Sequence, residues 1–100
     1  MHVIVWEFSV PGEHQAAFEQ AYGPDGAWAA LFQTAPGSLG TELLRDEQMI
    51  SRYLTIDRWR TPEDFAAFKS LSGAAYESLD RRFEGLAARE AMIGTFRAAA

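Results

Sequence analysis

The segment that most restricts what this chain can fold into is residues 2–9, HVIVWEFS. In an extended strand, successive side chains point to opposite faces, so Ile4, Trp6 and Phe8 share one face and Val3 and Val5 the other. A sheet with one wet face shows apolar–polar alternation, and a strand that is apolar on both sides predicts a sheet covered on both faces. Pro11-Gly12 ends the run in a turn.

From Glu13 the period changes. Phe18 and Tyr22 are four apart, and Trp28, Leu31 and Phe32 follow the i, i+3, i+4 spacing of a helix. Gly23-Pro24 divides the two groups, which predicts a broken or kinked helix whose second piece ends at Pro36-Gly37. Residues 39–46 (LGTELLRD) and 51–60 (SRYLTIDRWR) read as two strands, joined through the polar EQMI region as a hairpin. Helices are predicted from Pro62 to Ser70 and from Ala74 to Ala87, and REAMIGTFRA closes the chain as a last strand. The order is strand, helix, strand, strand, helix, strand. This is an α+β, ferredoxin-like split βαβ pattern with helices on one face of an antiparallel sheet, and residues 1–100 form one domain. If helices cover one face, the economical cover for the other is a second copy packed as an isologous dimer.

Composition supports a partner for that face. A domain of 100 residues folding alone hides only about 60–65% of its unfolded surface. Yet 48% of the residues are hydrophobic and 13% aromatic, rich for a chain that must also stay soluble. Nine basic residues against fourteen acidic ones give a net charge of −5, so a phosphate backbone is repelled and nucleic acid is not an expected ligand. Without cysteine there are no disulfides, thiolate nucleophiles or thiolate metal ligands. The N-terminus lacks the basic region and cleavage site of a signal peptide, and no long apolar run reaches membrane-spanning length. The expectation is a soluble cytoplasmic protein that makes no membrane contact.

Most catalytic signatures are absent. His2 and His14 stand alone, with no second ligand at a metal-binding spacing, so no metal site is expected. GPDG and APGSLG are turn chemistry that match neither a dinucleotide fingerprint nor a P-loop. No G-x-S-x-G occurs, and Ser70, Ser72 and Ser78 are accounted for by helix capping and solvation.

The informative stretch is YLTIDRWRTPEDFAAF, residues 53–68. Alternation sets Tyr53, Thr55, Asp57 and Trp59 on one face and Leu54, Ile56, Arg58 and Arg60 on the other. An aspartate two positions from a tryptophan is unusual for a face that only packs. Thr61 is a natural N-cap, Pro62 a natural first helical residue, and Asp64 occupies the capping-box position. Trp59 is therefore held beside the positive end of a helix, where an indole N–H suits a ligand oxygen carrying negative charge. Plainer readings stand beside this one. In these, Trp59 closes the rim of the core, Asp57 pairs with Arg45 or another strand arginine, and Tyr76, Leu79 and Phe83 form the core stripe of the last helix, with LDRRFEG its solvated face.

Taken together, APGSLGTELLRD, RYLTIDRW running into RTPEDFAAF, and the earlier YGPDGAWAALF resemble the antibiotic biosynthesis monooxygenase-like family of dimeric α+β barrel proteins. The resemblance implies a homodimer packed sheet on sheet, with a pocket between sheet and helices in each subunit. Trp59 matches the tryptophan that ends the third strand and lines that pocket. Members that oxidise polycyclic phenols without a cofactor carry an asparagine four residues before this tryptophan and a tyrosine six after it, where this chain has Thr55 and Phe65. Members that degrade heme ligate iron through a histidine about ten residues after it, where this chain has Lys69. Lysine is charged at neutral pH and a poor iron ligand, so heme degradation is disfavoured. The expected function is a cofactor-independent monooxygenase acting on a small aromatic phenol or quinol. Trp59 would be its oxygen-directed donor and Asp57 its proton acceptor, with Tyr53, Thr55, Phe65, Lys69 and Tyr76 binding the substrate. The alternative is a non-catalytic dimer of the same fold that binds a small hydrophobic molecule. An isomerase or decarboxylase would instead need Asp57 opposed by Lys69 or Tyr76.

Overall fold

A computed structural model of the protein describes residues 1–99. Its elements are β1 (His2–Ser9), a short 3-10 turn (Gly12–His14), α1 (Gln15–Tyr22), α2 (Ala27–Gln33), β2 (Ser38–Arg45), β3 (Arg52–Trp59), α3 (Pro62–Leu71), α4 (Gly73–Arg82) and β4 (Arg89–Arg97). The four strands form one antiparallel sheet in the order β2-β3-β1-β4, the ferredoxin-like arrangement expected from the element order. The long apolar strands β1 and β3 occupy its centre, where both faces can be covered.

The helices lie on one face, and strand parity decides what they cover. Ile4 and Phe8 of β1, with Tyr53 and Trp59 of β3, are buried beneath them. Two clusters result. Phe8, Val10, Phe18 and Tyr53 pack against α1, while Ile4, Trp59 and Phe68 pack with Phe32 and Phe65 from α2 and α3. The opposite face carries Val3, Val5, Leu44, Leu54, Ile56 and Phe96, as the pairings Val5↔Ile56, Leu44↔Leu54 and Val3↔Phe96 require. Leu44 is 45% exposed and Phe96 50% exposed in the single chain. Ion pairs border this apolar band, Arg58 with Glu42 and Arg52 with Glu7.

Several junctions follow from local chemistry. The break at Gly23-Pro24 separates α1 from α2, as the sequence predicts. Gly37, at φ +88°, turns the chain into β2 directly under Asp64, where a Cβ would come within 2.4 Å of a carboxylate oxygen. The last helix stops at Arg82, five residues short of the predicted end at Ala87. The chain tightens into turns there, with Glu84 N–H donating to the Arg81 carbonyl and Leu86 N–H to that of Phe83, and Gly85 takes up the left-handed conformation at φ +89°. No helix among the described residues is long and apolar enough to cross a membrane.

Thr61 caps α3 as predicted, its side-chain oxygen accepting the Asp64 backbone N–H at 3.0 Å. Replacing it with alanine removes that acceptor and should cost about 1 kcal/mol. In urea unfolding the midpoint should fall while the slope stays constant.

Candidate active site

Between the inner face of the sheet and the helices lies a cavity of about 120 Å³, open at one end. Every layer of the fold contributes to it. Trp6 and Phe8 come from β1, Thr41 from β2, Thr55 and Asp57 from β3, and Glu90 from β4. Tyr22 closes α1, Trp28 and Phe32 project from α2, and Tyr76 and Asp80 from α4. The Gly23-Pro24 break makes this possible, because an uninterrupted helix would carry Tyr22 and Trp28 to different faces. With the break their rings lie 6.0 Å apart, and the Trp28 ring meets Tyr76 edge-on at 4.9 Å.

The cavity wall is aromatic but its polar groups are acidic. Asp57, Asp80 and Glu90 all line it, and no lysine, arginine or histidine does. Asp57 faces the cavity rather than bulk water, and burial raises its carboxyl above the ordinary range, against a smaller opposing pull from Thr41. The Thr41 hydroxyl donates to Asp57 Oδ1 at 2.5 Å. Asp57 takes part in no ion pair among the described residues, so the plainer alternative, a pairing with a strand arginine, does not hold. Arg45 instead binds Gln15 and Glu19 on α1.

Two phenols line the same cavity. Burial pushes Tyr76 up to about 12, with further upward pushes from Asp80, Asp57 and Glu90. Burial likewise raises Tyr22 to about 12, opposed by a weaker pull from Trp28. The Trp28 indole nitrogen, which acts on Tyr22, is buried and makes no hydrogen bond among the described residues.

Of the residues singled out in the sequence, Asp57, Thr55 and Tyr76 meet at this cavity. The other four lie elsewhere. Trp59 is only 1% exposed and is enclosed by Phe32, Phe65 and Phe68, whose ring centres lie 5.8, 5.4 and 5.1 Å from its own. It sits on the predicted face beside the α3 cap, but Phe32 stands between it and the hollow, so it supports the wall rather than forming it. Tyr53 belongs to the α1 cluster and donates to Glu19 at 2.5 Å. Phe65 covers Trp59 and His2. Lys69 is exposed, with its ammonium 3.6 Å from the centre of the Tyr76 ring. The residue that spacing alone could not single out is Trp28, which reads in sequence as one more apolar position on a short helix.

The family sequence model described as antibiotic biosynthesis monooxygenase matches residues 1–75. The chain belongs to the antibiotic biosynthesis monooxygenase (ABM) family. No curated protein matches it significantly. Among solved structures, SnoaB, a cofactor-independent oxygenase from Streptomyces nogalater, aligns with a TM-score of 0.72 at 22% identity over 99% of this chain and 93% of that one. An MhuD variant with two manganese protoporphyrin IX molecules bound per active site aligns with a TM-score of 0.77 at 22% identity, covering 100% and 96% of the two chains. PA3566 from Pseudomonas aeruginosa aligns at 0.69 with 17% identity over 99% and 94%. At these identities the likeness establishes the shared ABM fold.

A group whose folded pKa is raised contributes stability below its unfolded value and loses it as pH rises through the folded pKa. The Asp57 carboxylate therefore destabilises this ABM domain at neutral pH. Asp57→Asn keeps an acceptor for Thr41 without the charge, so at pH 7 its melting temperature should exceed that of the wild type by ~2 °C or more. The difference should shrink as pH approaches 3.8, the ordinary value for this group.

Proposed function

We propose that this protein is a cofactor-independent monooxygenase acting on a small phenol or quinol held in the cavity. The observation that carries the reading is Asp57, a carboxyl without a cationic partner on the wall of an aromatic hollow. Its raised pKa makes it a better base than an exposed carboxylate. In this scheme Asp57 takes the phenolic proton, and the phenolate passes one electron to dioxygen. Superoxide and the aryl radical join in a C–O bond, giving a peroxide. The O–O bond then breaks; one oxygen remains as a ring carbonyl and the other leaves as water, with the proton held by Asp57 and one from the ring carbon. Quinone and water account for all atoms of phenol and dioxygen. Surrounding rings, Trp6, Trp28 and Phe32 among them, exclude water from the charged species.

Size narrows the substrate. A cavity near 150 Å³ is known to accept benzene, so about 120 Å³ suits one ring, with a second reaching into the mouth. This argues against a porphyrin, as does the absence of a histidine from the wall. The opposite face of the sheet, with Val5, Ile56 and Phe96 uncovered, fits a second copy of the chain.

Two experiments address these readings. Oxygen uptake without added cofactor, over dihydroxybenzenes and dihydroxynaphthalenes, should exceed the buffer blank and fall ~100-fold in Asp57→Asn. No uptake above blank across the panel would instead favour a non-catalytic binding protein. Light scattering at micromolar concentration should give a dimer mass, and Ile56→Glu should convert it to monomer; a monomeric wild type would refute the pairing.

A further inference from the structure

The path of β2 decides which side chain meets the proposed base. β2 is an edge strand, and its pairing with β3 slips between Ser38 and Gly40. Ser38 stands opposite Trp59, yet Gly40 stands opposite Arg58, so Leu39 is the extra residue of a β-bulge. In an unbroken register Gly40, which has no side chain, would stand opposite Asp57, and Thr41 would lie beside Ile56 on the other face of the sheet. With the bulge, Thr41 stands opposite Asp57 on the inner face, followed by Leu43 opposite Thr55. Gly40 accommodates the bulge at φ +113°, where a residue with a Cβ is strained.

Asp57 has two neighbours across the sheet, Ile4 on β1 and Thr41 on β2. Ile4 offers no polar group, so the hold on the carboxyl falls to Thr41. Its hydroxyl donates to Oδ1 at 2.5 Å, and the Asp57 side chain makes no other hydrogen bond among the described residues. The titratable groups on the remaining walls of the cavity are Tyr22 on α1, Tyr76 and Asp80 on α4, and Glu90 on β4. None of them is a cation that could orient a carboxylate. The two oxygens of a carboxylate are exchanged by rotation about the Cβ–Cγ bond, and a donor fixed on one of them fixes where the other points.

We infer that Thr41 is a positioning residue of the site: its hydroxyl, brought to the inner face by the bulge, holds Oδ1 of Asp57 and reserves Oδ2 for the proton of the bound phenol. The inference rests on Asp57 being the base and adds the residue that orients it. Because this hydrogen bond favours the charged carboxylate, it also opposes the upward push of burial.

Two substitutions test it. Thr41→Val removes the hydroxyl with little change of shape, and a β-branched residue remains well suited to the strand. Thr41→Ser keeps the hydroxyl. In a carbon-13 NMR titration, the Asp57 midpoint should rise in the valine variant and stay near the wild-type value in the serine variant. In oxygen uptake with a dihydroxynaphthalene, the valine variant should lose ~10-fold or more in kcat with a smaller change in KM. The acid limb of its pH profile should move upward with the midpoint, and serine should recover most of the loss. An unmoved midpoint in the valine variant, or a serine variant no better than valine, would overturn the inference. The titration needs no turnover, which separates the two readings. A midpoint that rises in valine and not in serine, with no uptake above the blank in any of the three proteins, would overturn the oxygenase reading and support the hold of Thr41 on Asp57.

Discussion

The aromatic layer between the sheet and the helices is what the remaining architecture depends on. Ile4, Phe8, Tyr53 and Trp59 share the inner face, because β1 and β3 are neighbours in register and their inward residues coincide. Burying such large side chains is the main driving term for a domain this small. Two aromatic clusters anchor the helices at opposite ends of that surface, and Trp6 touches both. The cavity occupies the space between them, so it is a product of where the rings do not meet.

Polar residues are tolerated on this face only within that gap. Thr55 is buried and Asp57 half-buried, one strand step apart on the same side, and Thr41 of β2 answers Asp57 across the register. A carboxyl placed there works against folding at neutral pH, since its charged form loses solvation and gains no cation. The same lack of compensation suits it to accept a proton from a bound ring. Stability is given up at the position where the proposed chemistry needs a base, a pattern expected of functional sites.

Much of this was legible in the sequence because it depends on local periodicity. Two-residue alternation through Tyr53, Thr55, Asp57 and Trp59 gave the correct face, and Thr61-Pro62 gave the start of α3. Apolar β1 and the element order gave the sheet and its two-sided character. Depth was not legible. Parity places Trp59 and Asp57 on one face, but only the packing of α2 shows that Phe32 covers the first and leaves the second open. Trp28 escaped notice for the complementary reason, since helical spacing marks it as core and does not reveal that its N–H goes unmatched. Asp80 was read as part of a solvated face, and it is exposed, but its nearness to Glu90 follows from β4 lying at the sheet edge beside β1.

Ionisation of Asp57 inside the cavity is the central claim, and its carboxyl carbon reports it directly. A carbon-13 NMR titration of the aspartate carboxyls, with and without a bound phenol, would resolve the Asp57 signal by its loss in Asp57→Asn. The account predicts a midpoint above 3.8 in the free protein, displaced further when the ring occupies the cavity. A midpoint at the ordinary value, unmoved by the ring, would mean that Asp57 is neither desolvated nor in contact with what binds there, and would contradict the account.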